Sequence, residues 1–387
     1  MKRWPTKPLG EFVEERTERL RQDSATIYSV TNESGFVRSL DLFDKQVFSA
    51  DTDNYKRVGF HDLAYNPSRI NVGSVAMCED KDGGAVSPMY VIVRSKPGLL
   101  PHYLLHFLKS EAGLHQIRHR CEGAVRFQLK FRDLCAIPIL VPPLAEQERI
   151  VKLLDEADEL RKLRAQADHR TTVLIPALFH EMFGENTNKP HDRVKLEQIA
   201  EVVSGVAKGR KFNGRQPVEV SYLRVANVQA GHLDLSEIKT IQALPEEVKE
   251  LALQRGDVLL TEGGDFDKLG RGAMLEQDLP NCIHQNHVFR VRVEQSKLDP
   301  VYFAKFLLTG EARGYFLGCA KRTTNLASIN MTQLRALPVR LPSLSLQKEF
   351  AARVSEIRAV QAEQTASRRR LDGLFQSMLH RAFNGEL

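Results

Sequence analysis

Two stretches of the chain, 146–182 and 346–382, carry a stripe of positions spaced alternately by four and three, the pattern that lines one face of a long helix. The first stripe is Ile150, Leu154, Ala157, Arg161, Arg164, Asp168, Thr171, Ile175, Leu178 and Met182. Adding 200 to each number gives Phe350, Val354, Ile357, Gln361, Gln364, Arg368, Leu371, Phe375, Met378 and Ala382. Each stretch follows a proline stop, Val141-Pro142-Pro143 or Leu341-Pro342-Ser343, and then runs through good helix formers with Pro176 and Gly373 as the exceptions. At ~1.5 Å per residue the first helix would be roughly 55 Å long, which asks for a partner. Both seams are apolar at their ends and polar in the middle. Laid side by side they match apolar with apolar, so the expected pairing sets Ile150, Leu154, Ala157, Ile175 and Leu178 with Phe350, Val354, Ile357, Leu371, Phe375 and Met378. A two-fold relation between the copies makes the pair antiparallel. The seam alone leaves open parallel pairing, or each helix packing only on its own neighbour. Pro176 has no N–H for the carbonyl of Thr172 and predicts a kink near the end of the first helix.

The 200-residue offset extends beyond the helices. An ungapped self-match starts near Tyr103 and Phe303 and passes Glu111-Ala112 and Glu311-Ala312. It then aligns Leu134, Ala136, Pro138, Pro142, Leu144 and Gln147 with Leu334, Ala336, Pro338, Pro342, Leu344 and Gln347, and holds to Phe183 and Phe383. Upstream it weakens to a pattern, Val72–Met77 resembling Leu269–Met274. The chain therefore reads as two copies of one module, 1–185 and 194–387. The expected fold class is mixed α/β (α+β), with two globular parts and two long helices pairing as an antiparallel coiled coil in a pseudo-two-fold repeat. The divisions fall at 1–142, 143–185, a polar linker 186–193, 194–342 and 343–387.

Between short β-type runs lie basic and amide-rich loops. In the first globular part these hold Tyr65, Asn66, Arg69, Asn71, Arg118, Arg120, Arg126, Gln128 and Lys130; in the second they hold Lys208, Arg210, Lys211, Arg215, Lys268, Arg271, Lys321, Arg322 and Asn325. Arg, Asn and Gln can make paired hydrogen bonds with base edges, and Lys more often meets phosphate. For any single residue a solvated loop accounts for the sequence as well as DNA contact does; the clusters carry the argument.

Charge changes this picture only by permitting it. A net charge of +6 and a pI near 9.0 suit a polyanionic partner without requiring one. No apolar run is long enough to span a bilayer, and the acidic residues after Met1-Lys2-Arg3-Trp4-Pro5 do not make a secretory signal, so a cytoplasmic location is expected. The five cysteines are scattered, and His115, His119, His284 and His287 lack partners at ligand spacing, so neither a disulfide frame nor a metal is expected. Catalytic signatures are missing too. An adenine methyltransferase needs an Asn/Asp-Pro-Pro-aromatic grip on a flipped base, and the chain offers only Asn66-Pro67-Ser68-Arg69 and Val141-Pro142-Pro143-Leu144. No phosphate-cradling G-x-x-x-x-G-K-[ST] loop occurs. Asp257, Glu262, Asp265 and Asp267 could form a metal-dependent nuclease centre, but the first copy has no matching set.

Taken with this order of elements, several motifs resemble the specificity subunits of type I restriction-modification systems. They are Leu144-Ala145-Glu146-Gln147-Glu148-Arg149-Ile150 after Pro142-Pro143, its echo Leu344-Ser345-Leu346-Gln347, the helix ends Leu178–Gly184 and Leu379–Leu387, and the turns Gly73-Ser74-Val75 and Arg255–Thr261. The second hinge departs from the pattern with Ser343 and with no Glu before Gln347. The resemblance implies that 1–142 and 194–342 are target recognition domains, each reading half of a split DNA sequence, and that the helices set the unread spacer. It implies double-stranded DNA, two methyltransferase subunits and restriction/translocase subunits as partners. It also implies no chemistry in this chain, with S-adenosylmethionine, ATP and Mg²⁺ used by the partners. The alternatives are a self-sufficient DNA-modifying or DNA-cleaving enzyme and a free-standing DNA-binding regulator.

Overall fold

The computed structural model describes residues 4–21, 24–31, 35–42, 51–121, 128–184, 192–264, 269–322 and 327–387. Of the expectations above, Arg126, Lys268, Asn325, Asp265, Asp267 and most of the linker lie outside the described residues. The backbone of Lys321 and Arg322 is described.

The chain forms two compact units, and each is assembled from both halves of the sequence. The first comprises Met1–Asp168 with Glu363–Leu387, and the second comprises His169–Ala362.

In the first unit Val13–Arg16, Val91–Ser95, Leu63–Tyr65 and Val75–Met77 lie in that order across an antiparallel sheet. The second unit repeats it with Ala200–Ser204, Val288–Val293, Val258–Thr261 and Gly272–Met274. The inner strands are largely buried, which is why most of them read as apolar runs such as Val91-Ile92-Val93, with Val288–Val293 interrupted by Arg290 and Arg292. Each unit adds a second sheet containing one parallel pair, Ile27–Thr31 with Gly84–Val86 and Val218–Leu223 with Cys282–His284. Each is closed by an antiparallel clip between its first strand and the strand before its long helix, Thr6–Pro8 with Pro138–Leu140 and Asp192–Lys195 with Pro338–Leu341.

The first long helix runs Leu144–Thr172 and resumes as Leu174–Phe183, broken at Val173. Pro176 cannot donate to the Thr172 carbonyl, and helical bonding resumes with the Ala177 N–H, which donates to the Val173 carbonyl at 3.0 Å. The second helix, Leu344–Phe383, has no proline and is uninterrupted.

The two helices pair antiparallel. In the first unit Ile150 and Leu154 share one core with Phe375, Leu379, Ala382 and Phe383, and Ala157 and Met378 pack at its edge. In the second unit Ile175 and Phe183 share a core with Phe350 and Val354, and Leu178, Met182 and Ile357 lie at its edge. Leu371, in the first unit, is half-buried. The polar middle of the seam is held by ion pairs in the first unit, Arg161 Nε to Asp372 at 2.8 Å and Arg368 Nη1 to Asp168 at 3.0 Å. In the second, the Gln361 side-chain amide donates to the Thr171 carbonyl at 2.9 Å.

One expectation about the repeat needs correction. From Phe131–Cys135 and Met331–Arg335 onward the offset is 200, but over the helices just before it is 199. Pro101 and Pro300 open equivalent helices, Ser110 and Thr309 cap the next ones, and Tyr103 and Tyr302 donate their hydroxyls to the equivalent carbonyls of Leu140 and Arg340. Tyr103 thus corresponds to Tyr302, and one residue separates the two copies in the intervening loop.

Candidate nucleic-acid interface

Both units carry the same ion pair between a buried carboxylate and a half-buried arginine. Asp62 takes Arg94 through two bonds of 2.6 and 2.9 Å, and Asp257 takes Arg292 through two of 2.7 Å. Each carboxylate also accepts a turn N–H three residues earlier, from Gly59 or Gln254. Fork-shaped Arg–carboxylate pairs are directional, so they fix these turns. Asp257 is therefore a structural anion and not a metal ligand. Among the described residues no group of three or more His, Cys, Asp or Glu is arranged to hold a metal.

In the second unit the strand Val258–Thr261 leads into Glu262, and Gly263–Gly264 then pairs with Ala327–Ser328, which pairs in turn with Lys321–Arg322. A side chain on Gly263 would stand 2.9 Å from the Ala327 carbonyl, so only glycine lets these strands approach. Glu262 accepts from His287 Nδ1 at 2.6 Å, and the Asn286 amide lies 3.4 Å from the other ring nitrogen. Close in the chain, Arg271 donates to Gln229 Oε1 at 2.9 Å, while its carbonyl takes the Thr261 N–H at 3.0 Å. Backbone pairing thus gathers Arg271, Gln229, Glu262, Asn286 and His287 near the Lys321–Arg322 strand. They form a group rich in the donors and acceptors that read base edges. Gln229, Asn286 and His287 were not expected as DNA contacts from the sequence; their only signal was an amide or imidazole next to a buried strand.

The other second-unit candidates occupy the loop after Val206. Lys208 and Lys211 are exposed, whereas Arg210 pairs with Glu247 and Arg215 with Glu246, both on the helix Pro245–Leu251.

In the first unit Arg69, Arg118 and Lys130 are exposed and Asn71 is half-buried. Asn66 Oδ1 accepts the Ser68 N–H at 3.0 Å, and Gln128 reaches the Ser68 hydroxyl at 3.4 Å. Arg120 is turned back onto Gln116 and the Ala136 carbonyl. Tyr65 is a correction: it is completely buried, and its hydroxyl donates to the Leu129 carbonyl at 3.2 Å. Both faces of its strand are covered, so the side chain belongs to the core and cannot reach DNA.

His284, also in the second unit, is completely buried, and burial, then the charge of Arg290, pushes its pKa down to about 4. The unfolded chain takes up this proton near pH 6.5 and the folded chain only near 4, so stability is complete above 6.5 and drains away as the pH falls toward 4. Between pH 7 and 5 the second unit is expected to lose roughly 2 kcal/mol through this residue. His284→Gln should flatten that slope, read as hydrogen-exchange protection of residues 258–293; an unchanged slope would assign the acid sensitivity elsewhere.

Residues 188–369 match a family model described as type I restriction modification DNA specificity domain. The chain is 26% identical over 314 residues to the EcoKI specificity subunit of Escherichia coli (strain K12), covering 76% of this chain and 68% of that one. It is 25% identical over 314 residues to the StySPI specificity subunit of Salmonella potsdam, covering 76% and 67%. Among solved structures, the fold is similar to a chain from work on complex assembly and conformational transition of a type I R-M system (TM-score 0.66, 17% identity, 100% and 99% of the two chains). It is also similar to the S subunit from M. genitalium (TM-score 0.57, 14% identity, 98% and 96%) and to the HsdS subunit from Thermoanaerobacter tengcongensis (TM-score 0.51, 19% identity, 100% and 98%). Residues 188–369 thus carry a type I restriction modification DNA specificity domain, and over three quarters of its length the chain is similar to the specificity subunits of type I restriction enzymes.

Proposed function

We propose that each unit reads one half of a bipartite DNA sequence, and that the paired helices set the spacer and dock two methyltransferase subunits. The observation that carries this reading is the duplication. Two scaffolds share their sheet order, their clips and their Asp–Arg pair, yet present different side chains at the loops. Where the second unit has His287 opposite Glu262, the turn entering the equivalent strand of the first has Met89, which is largely exposed. An apolar side chain there suits a thymine methyl, while Glu, His and Asn suit polar base edges.

The helices supply a matching argument for two copies of one partner. Leu160, Leu163 and Leu374 are about half exposed on the helices of the first unit, and Leu174 and Val360 on those of the second. Leu160 with Val360, and Leu174 with Leu374, are 200 residues apart, and each of the four precedes a seam position. Exposed apolar side chains repeated in this way fit a docking surface presented twice.

On this reading the chain performs no chemistry. S-adenosylmethionine, ATP and Mg²⁺ act on the methyltransferase and restriction/translocase subunits. A cytoplasmic site of action follows from working on cellular DNA, and no helix among the described residues is long and apolar enough to cross a membrane.

The direct test exchanges residues 194–342 for the corresponding part of another specificity subunit. The modified sequence is expected to change in one half and stay the same in the other, read by mapping modified adenines in a host genome. Changes in both halves would reject modular reading.

A further inference from the structure

The repeat aligns Gln147 with Gln347, each in the first turn of a long helix, and both are completely buried. Gln147 Oε1 accepts the Leu100 N–H at 2.9 Å, and its Nε2 donates to the carbonyls of Gly98 and Pro142, each at 2.9 Å. Gln347 repeats the set, accepting from the Asp299 N–H at 2.8 Å and donating to the carbonyls of Lys297 at 3.2 Å and Pro342 at 2.8 Å. A single amide therefore ties three segments together: the loop leaving the central strand, the hinge proline and the start of the long helix. Every partner is backbone, so the tie survives the divergence of side chains around it. Leu would supply comparable bulk for packing alone. What the amide adds is direction, because hydrogen bonds weaken steeply when their angles open.

We propose that Gln147 and Gln347 are positioning residues: each fixes the angle at which its helix leaves its reading domain, and together they confine the spacer to one length. The inference rests on the two-half-site reading above. In each unit the equivalent tyrosine hydroxyl, from Tyr103 or Tyr302, secures the strand before the hinge, at 3.0 and 2.8 Å. Unlike these tyrosines, the glutamines hold the helix itself.

The test uses the full chain, assembled with its methyltransferase subunits, to select from duplexes with a fully random central segment. The wild-type complex is expected to recover two half-sites at one separation. Gln147→Leu and Gln347→Leu, and the closer match in shape Gln147→Met and Gln347→Met, should recover the same half-sites. The share of duplexes one base pair longer or shorter should rise roughly tenfold, as expected for losing a buried hydrogen-bonded tie. A spacer as sharp as the wild type's in all four variants overturns the proposal. So does loss of the adjoining half-site in both the Leu and the Met variant, which would make the residue part of the fold alone. If the wild-type complex itself recovers half-sites without fixed separation, the spacer-setting reading fails, and this inference with it.

Discussion

A chain ending at Ala362 should lose its first unit and keep its second. The missing segment inserts Phe375, Leu379, Ala382 and Phe383 into the core of the first unit, where the ring of Phe383 lies 5.1 Å from that of Tyr103 and 5.4 Å from that of Phe107. Three large apolar side chains at about 2 kcal/mol each amount to roughly 6 kcal/mol, comparable to the whole stability of a domain. Trp4, the single tryptophan, packs against this core, so its fluorescence reports on the first unit alone. Its emission should shift to that of a solvated indole, and amides 63–95 should exchange freely while 258–293 stay protected. Native emission and protection in the shortened chain would mean that the C-terminal helix end is not part of the first unit's stability.

The second large effect concerns length. Duplicating Lys162–Asp168 in the first helix and, in the same chain, Ala362–Arg368 in the second adds seven residues to each and preserves the heptad seam. At ~1.5 Å per residue the pair grows by about 10 Å, the rise of about three base pairs at ~3.4 Å each. The selected or modified sequence should keep both half-sites and gain about three base pairs between them. The change has to be made in both helices. Made in the first alone, it would carry Asp168 past Arg368 and break the ion pair. A spacer unchanged by the double duplication would show that the helices do not measure it.

The long-range plan was legible because its signals are periodic. The seam from Ile150 to Met182 and its copy 200 residues on needed only spacing, and the break before Pro176 needed only a missing N–H. Their antiparallel sense did not follow from the seam. It followed from the two-fold relation of the copies, and cores that mix Leu154 with Phe375 and Ile175 with Phe350 bear it out.

The candidate interface was legible as clusters and not as individual residues. Leu63-Ala64-Tyr65 is too short a strand to show a period, and the Asn66-Pro67 turn after it drew Tyr65 into the loop reading although the side chain points into the core. Arg210 and Arg215 find their carboxylates on a helix some thirty residues later, a distance at which no spacing rule operates. The one-residue difference upstream of Phe131 was hidden because Tyr302-Phe303 offers an aromatic residue in either register. Asp257, weighed as a metal ligand, owes its place to Arg292, which lies on the neighbouring strand and is remote in sequence.

The mixing of helix ends also governs the order of events during synthesis. Once Ala362 has left the ribosome, the second unit has every part it needs. The first, although translated earlier, waits for Phe375, Leu379 and Phe383. The usual N-to-C sequence of folding is thereby inverted, and the closing step joins segments separated by the whole of His169–Ala362, which makes it slow. Until then the nascent chain carries an incomplete apolar face that chaperones would have to cover.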